Sequence, residues 1–265
     1  MAQTPGPGGW TMPVETGPPE FLPILDIPEP GRQRRLTVFF RWLLLVPQAI
    51  VLWVLSVVAF FAVVIGWFAA LVTARLPGPI ARYLIDYLGY DTRVIASASL
   101  LIDSYPPFSL RQRPDFPVLV QVRPGHLNRV AVFFRLILLI PAAIVSSLLG
   151  TGWFVLCFFI WLWVLIAGRM PRPVFEATAA YLRYRMRFYA YVLMLTSAYP
   201  KGLFGEEPLP GGEPAASATR PLVLSTLGKV LLAAFLVLGL AGHITADNAD
   251  FDNGPNDTIN TAPAR

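Results

Sequence analysis

Two long tracts without a charged residue dominate the pattern of apolar and polar positions. One runs from Trp42 to Ala74 between Arg41 and Arg75, the other from Leu136 to Gly168 between Arg135 and Arg169. Each is 33 residues long, and each landmark of the second stands 94 residues after its counterpart in the first. A single helix of that length would extend roughly 50 Å against a hydrocarbon core of about 30 Å. The reading favoured for each tract is therefore a hairpin of two short helices. Gly150-Thr151-Gly152 serves as the turn in the second copy, and Pro47 and Pro141 kink the first arms. Charge points the same way. One crossing per tract would put residues 75–135, with eight arginines, opposite the cluster Arg32, Arg34 and Arg35. A hairpin keeps them together, as the positive-inside rule prefers.

Each tract closes on Arg-x-Pro-x-Pro (Arg75, Pro77, Pro79; Arg169, Pro171, Pro173), which ends a helix. Residues 80–103 and 174–197 then read as amphipathic helices, too charged to span, that lie in the membrane interface or pack under the hairpins. All nine tyrosines fall between 83 and 105 or between 181 and 199, and tyrosine favours the headgroup level. Pro117 to Val122 reads as a short strand, with Pro23-Ile24-Leu25 as its counterpart. Pro221 to Gly242, interrupted only by Lys229, is long enough for one further span.

The predicted fold class is an all-α membrane protein: two tandem repeats of helical hairpin plus amphipathic interfacial helix, and one C-terminal transmembrane helix. Short extended segments precede each repeat. The divisions are a disordered Pro/Gly-rich tail (1–22), repeat one (23–110), repeat two (117–204), a flexible linker (205–220), the last helix (221–243) and an acidic tail (244–265). Five spans follow, with the amino terminus cytoplasmic and the carboxyl terminus outside a plasma membrane. Residues 1–30 lack a signal-peptide apolar region, so delivery is expected to rely on the first tract.

A hydrophobic fraction of 55% with 14% charged residues fits lipid contact better than a soluble core. The net charge of +5 flanks apolar tracts instead of forming a stripe, which argues against nucleic acid and for anionic headgroups. The lone Cys157 excludes a disulfide framework.

Catalysis by a nucleophile or a metal needs clustered His, Cys, Asp or Glu. His126 and His243 are far apart in sequence, and no paired carboxylates fall within a tract. No catalytic, metal or cofactor site is therefore assigned. Arg41, Arg135 and Lys229 are read as snorkelling anchors near the cytoplasmic ends. Arg93, Arg183, Arg185 and Arg187 are candidates for contact with anionic lipid, against the plainer alternative of a solvated rim.

The shared pattern is Phe39-Phe40-Arg41 with Val46-Pro47, then Trp67 and Arg75-x-Pro77, then Arg93 and Asp103-x-Tyr105-Pro106-Pro107-Phe108-Ser109-Leu110. In it the chain resembles a bacterial, largely actinobacterial, membrane family known as domain of unknown function 4389. The resemblance covers both repeats. It implies an integral membrane protein and supplies no catalytic residues, but marks Asp103, Tyr105, Pro106, Pro107 and Phe108 as a candidate functional motif. Repeat two departs there, with Ser197 for Asp103 and Lys201-Gly202 for Pro107-Phe108. The expected function is that of a non-enzymatic structural or interaction protein of the cell envelope, touching the bilayer, anionic lipids and other membrane proteins. A transporter or channel component is the alternative. A lipid-modifying enzyme would have to use Asp103 with Arg93.

Overall fold

The computed structural model describes residues 21–206 and 217–252, the last six without their side chains. The expected tails lie largely outside these residues, as does 207–216 of the expected linker. The chain order is β1 (Ile24–Asp26), α1 (Arg35–Phe39), α2 (Arg41–Thr73), α3 (Gly78–Ala98), β2 (Leu119–Gln121), α4 (Arg129–Phe133), α5 (Arg135–Ala167), α6 (Arg172–Val192) and α7 (Thr226–Asp252). The helical elements of repeat two match those of repeat one at a constant offset.

The long tracts are not hairpins. Each of α2 and α5 is one continuous helix of 33 residues. The chain reverses after the tract, at the Arg-x-Pro-x-Pro stretch, where the last turn is closed by left-handed backbone at Ala74 (φ 57°) and Gly168 (φ 69°). Pro at the start of α3 and α6 then opens a new helix. α3 runs back along α2: Tyr83 Oη donates to Leu55 O at 2.8 Å, Tyr90 Oη meets the Gln48 amide, and Ser97 reaches Arg41 at the start of α2. The buried stripe Arg41, Leu45, Gln48, Ala59, Gly66 and Ala70 faces it, while most of the remaining circumference of α2 is exposed and apolar.

Gly150-Thr151-Gly152 has a different role. Here α7 crosses α5 antiparallel, and a side chain on Gly152 would overlap the Phe235 carbonyl, as one on Gly239 would overlap that of Leu148. Small residues let two membrane helices approach backbone to backbone, and here they serve that contact instead of a turn. Among the described residues three helices are thus long and apolar enough to cross a membrane, α2, α5 and Thr226–Ala246 of α7, in place of the five spans expected. α7 starts later than predicted, because Ser225 Oγ caps it by accepting from Gly228 N at 3.1 Å, and it continues past residue 243.

Of the two placements expected for α3 and α6, packing under the apolar tracts is the one observed. They form the buried centre, with Leu84, Leu88, Tyr90, Leu182 and Met186 nearly or wholly inaccessible. On their far side the two segments read as short strands pair as an antiparallel sheet, Leu25 with Val120 and Asp26 with Leu119. The end of the expected linker folds back onto it, Thr219 Oγ1 accepting from Ile27 N at 2.8 Å.

The repeats are related by a pseudo-two-fold axis and not by translation, because their contacts are reciprocal. Trp161 Nε1 donates to Val38 O at 2.8 Å, and its counterpart Trp67 donates to Val132 O at 3.1 Å. Gln33 N binds Gly168 O at 2.8 Å, and Leu127 N binds Ala74 O at 2.9 Å. The start of each long helix therefore sits at the end of the other, which makes α2 and α5 antiparallel.

Gly152→Leu should detach α7 and lower the melting temperature of the detergent-solubilised protein by several degrees, for loss of a close-packed contact. Gly150→Ala should be neutral or stabilising, since its added methyl meets only ordinary contact, 3.6 Å from Tyr181 Oη, and alanine gains roughly 1 kcal/mol in a helix. A turn at this site would give the opposite order.

Candidate functional site

The axis passes through one ion pair. Asp91 and Arg185 are equivalent positions, 94 residues apart, and they meet in a two-pronged contact of 2.5 and 3.1 Å between α3 and α6. Asp91 is 4% exposed and Arg185 15%. The Arg185 guanidinium also lies over the Tyr189 ring at 4.5 Å. Opposite charges at equivalent positions of a duplicated sequence were visible before any fold was known, and they are the signal that could have placed this contact.

The other arginines expected to meet lipid are also turned inward. Arg93 donates to the carbonyls of Ser109 (2.6 Å), Leu110 and Arg111 (both 3.2 Å), pinning the loop after α3. Its counterpart Arg187 does the same after α6, binding Pro23 O at 3.0 Å, Lys201 O at 2.8 Å and the Glu206 carboxylate at 2.8 Å. Arg183 donates to Gly202 O at 2.7 Å and lies 3.0 Å from Glu206. Burial, helped by Arg187 and opposed by Glu206, lowers the Arg183 pKa to about 10, so it remains charged at neutral pH. The expectation of a lipid-facing rim is corrected: the irregular segments leave carbonyls without ladder partners, and a five-donor guanidinium satisfies several at once.

The Tyr-Pro-Pro-Phe motif closes the same end of repeat one. Arg41, 2% exposed, donates to Ser97 Oγ and Ile102 O at 2.9 Å and to Gln33 Oε1 and Asp103 Oδ1 at 3.2 Å. It is a buried clamp, not a snorkelling anchor. Asp103 is 27% exposed and lies 4.0 Å from the exposed Arg34. Tyr105 Oη donates to Leu44 O at 3.2 Å, and Gln48 Nε2 donates to Pro106 O at 2.7 Å. Pro107 is half-buried, whereas Phe108 is exposed with its ring beside Tyr105. A shallow cavity of about 170 Å³ opens next to Asp103, lined in part by Glu29, Arg32, Gln33 and Ser104. In repeat two no carboxylate stands at the matching place. Arg135 donates to Thr196 O at 2.6 Å and stacks over Tyr191, while Ser197 is exposed. The candidate site is thus asymmetric.

Arg93 stays on its loop carbonyls, and the contacts of Asp103 are with Arg41 and Arg34, so the pair needed for headgroup chemistry is not assembled. Among the described residues no group of three or more His, Cys, Asp or Glu could hold a metal ion. His126 lies against Arg75, and His243 bonds Ser147 at 3.0 Å.

A family model described as Domain of unknown function (DUF4389) matches residues 35–109 and 129–203. The chain belongs to this family. Its two DUF4389 copies coincide with the units related by the axis, each running from the short helix through the loop pinned by Arg93 or Arg187. No curated protein and no solved structure matches the chain. The fold is that of a mostly helical membrane protein with an internal repeat.

Asp91→Asn should cost about 3–5 kcal/mol, the usual penalty for leaving one member of a buried ion pair uncompensated. Chemical denaturation in detergent measures it. The exchange Asp91→Arg with Arg185→Asp should recover a large part of the loss, because the two sites are equivalent about the axis.

Proposed function

We propose that this DUF4389 protein is a non-enzymatic scaffold of the cell envelope, which presents a rigid charged face at a membrane and holds other membrane proteins or anionic lipid there. One observation carries the reading. The polar side chains marked by the motif and the buried arginines are bound to the chain's own backbone and carboxylates, so they hold the irregular segments of each copy on its helices, while Asp91 and Arg185 join the two copies. The arginines that reach the surface are Arg32, Arg34, Arg35, Arg75, Arg129, Arg169 and Arg172, and exposed guanidinium groups suit anionic headgroups. The positive-inside rule places that face, with the amino-terminal segment, in the cytoplasm of a plasma membrane. An extracytoplasmic carboxyl terminus follows if α7 crosses.

One observation favours a second reading, a transporter or channel component. Antiparallel repeats about a two-fold axis are the framework of many secondary transporters when that axis lies in the membrane plane.

Crosslinking in native membranes, followed by identification of the neighbours, should recover a reproducible protein partner or a second copy of the chain. Purified protein in liposomes should carry no ion or small solute. Flux in the liposomes would favour the transporter reading, and a chain without neighbours would end the scaffold reading. Asp103→Asn should leave partner recovery unchanged.

A further inference from the structure

Three features of the fold bear on how it meets lipid. The first is the irregular backbone. The two strands, the loop 109–118 and the segment from Phe21 to Ile27 pack on α3 and α6 and away from the apolar helices, while 103–108 lie against the first turns of α2. The strands and loop reach the middle of α3: the Gln112 side chain accepts from Val120 N and sits against Gly89. Lipid-exposed coil and open sheet edges do not occur at hydrocarbon depth.

The second is charge at that level. Arg113 and Asp115, beside Gln112, form an exposed pair at 2.9 Å with side chains 54% and 66% accessible. Were α2 and α5 to cross the bilayer, the axis perpendicular to them would lie in the membrane plane, and this pair would face lipid at hydrocarbon depth, where charge is costly.

The third is the arginines at the helix ends. Arg32, Arg34, Arg35, Arg169 and Arg172 cluster where α2 begins and α5 ends, whereas Arg75, Arg82 and Arg129 cluster where α2 ends and α5 begins. Crossing would divide them between the two sides, against the positive-inside rule.

All three conflicts vanish in one orientation. Resting on the reading of the chain as a membrane protein, we propose that the two-fold axis stands along the membrane normal and that α2 and α5 lie flat in a single leaflet. The apolar face then takes the acyl chains of that leaflet, with Trp53, Phe60, Phe61, Phe154 and Phe159 among the rings that meet them. A helix about 10 Å across fits within half of a core of about 30 Å. Strands, loops and both arginine clusters stay on one aqueous side. α7, antiparallel to α5 through the Gly152 and Gly239 contact and the Ser147–His243 bond, follows it in the plane. Length and apolarity allow these helices to cross, but the charged layer packed behind α2 and α5 forbids it.

Gly31 and Gly125 are equivalent positions at opposite ends of the long helices, each with open space for a side chain. In a Cys157→Ala background, Gly31→Cys and Gly125→Cys are each treated with a membrane-impermeant maleimide, in intact cells and in inverted vesicles. The proposal requires both to react in inverted vesicles and both to be protected in intact cells. A third variant, Val58→Cys, at the middle of α2 on its exposed apolar side, should react in neither but label in detergent. Reaction of Gly31→Cys and Gly125→Cys from opposite sides would overturn the flat orientation in favour of crossing, with membrane integration intact. Labelling of Val58→Cys in intact cells would overturn it by showing that the tract reaches the outer surface. Failure of either glycine variant to react except in detergent would also overturn it. Extraction of the unmodified protein by alkaline carbonate is the separate control: release from the membrane would sink the underlying reading itself.

Discussion

The two-fold axis and the ion pair on it constrain everything else in this fold. A duplicated sequence can stack by translation or close on itself, and closure makes each residue near the axis face its own counterpart. Two aspartates or two arginines at positions 91 and 185 would repel across a buried contact. Asp91 against Arg185 turns that clash into a two-pronged bond. Such a pair contributes little net stability after desolvation. Its value lies in specifying which surfaces of α3 and α6 meet.

Closure also explains why the charged helices are central and the apolar ones peripheral. In a soluble domain the order would be reversed, since water strips apolar surface inward. Lipid removes that driving force from α2 and α5, which expose most of their circumference. It leaves the interior to groups that need partners: tyrosine hydroxyls, Gln48, and the guanidinium groups of Arg41, Arg93, Arg183 and Arg187. Each guanidinium satisfies carbonyls of irregular segments that no ladder serves. Two short strands suffice because side chains pin the rest of the coil.

Copy one and copy two have the same frame but different ends. Arg41 has a carboxylate at Asp103, and the cavity beside it mixes both charges. Arg135 has the Tyr191 ring instead, an aromatic face in place of an anion. The Tyr-Pro-Pro-Phe segment holds this end of repeat one through Leu44 and Gln48 and leaves Phe108 outward.

Much of the organisation was legible in the residues alone. The two uncharged tracts, the constant offset, the Arg-x-Pro-x-Pro stops, the strand counterparts and the membership of the family all follow from local pattern. Local signals decide where a helix must end and which segment cannot stay in water. They do not decide what lies opposite. Gly150 and Gly152 carry the same local preference whether the chain turns or a neighbour presses close, and only the path of α7 across α5 separates the two. Arg183 and Arg187 look like a solvated rim until the loop carbonyls and Glu206 are brought to them. Hairpin or straight helix, rim or core: each turned on contacts between residues far apart in the chain, a property of the closed pair of repeats and of no single segment.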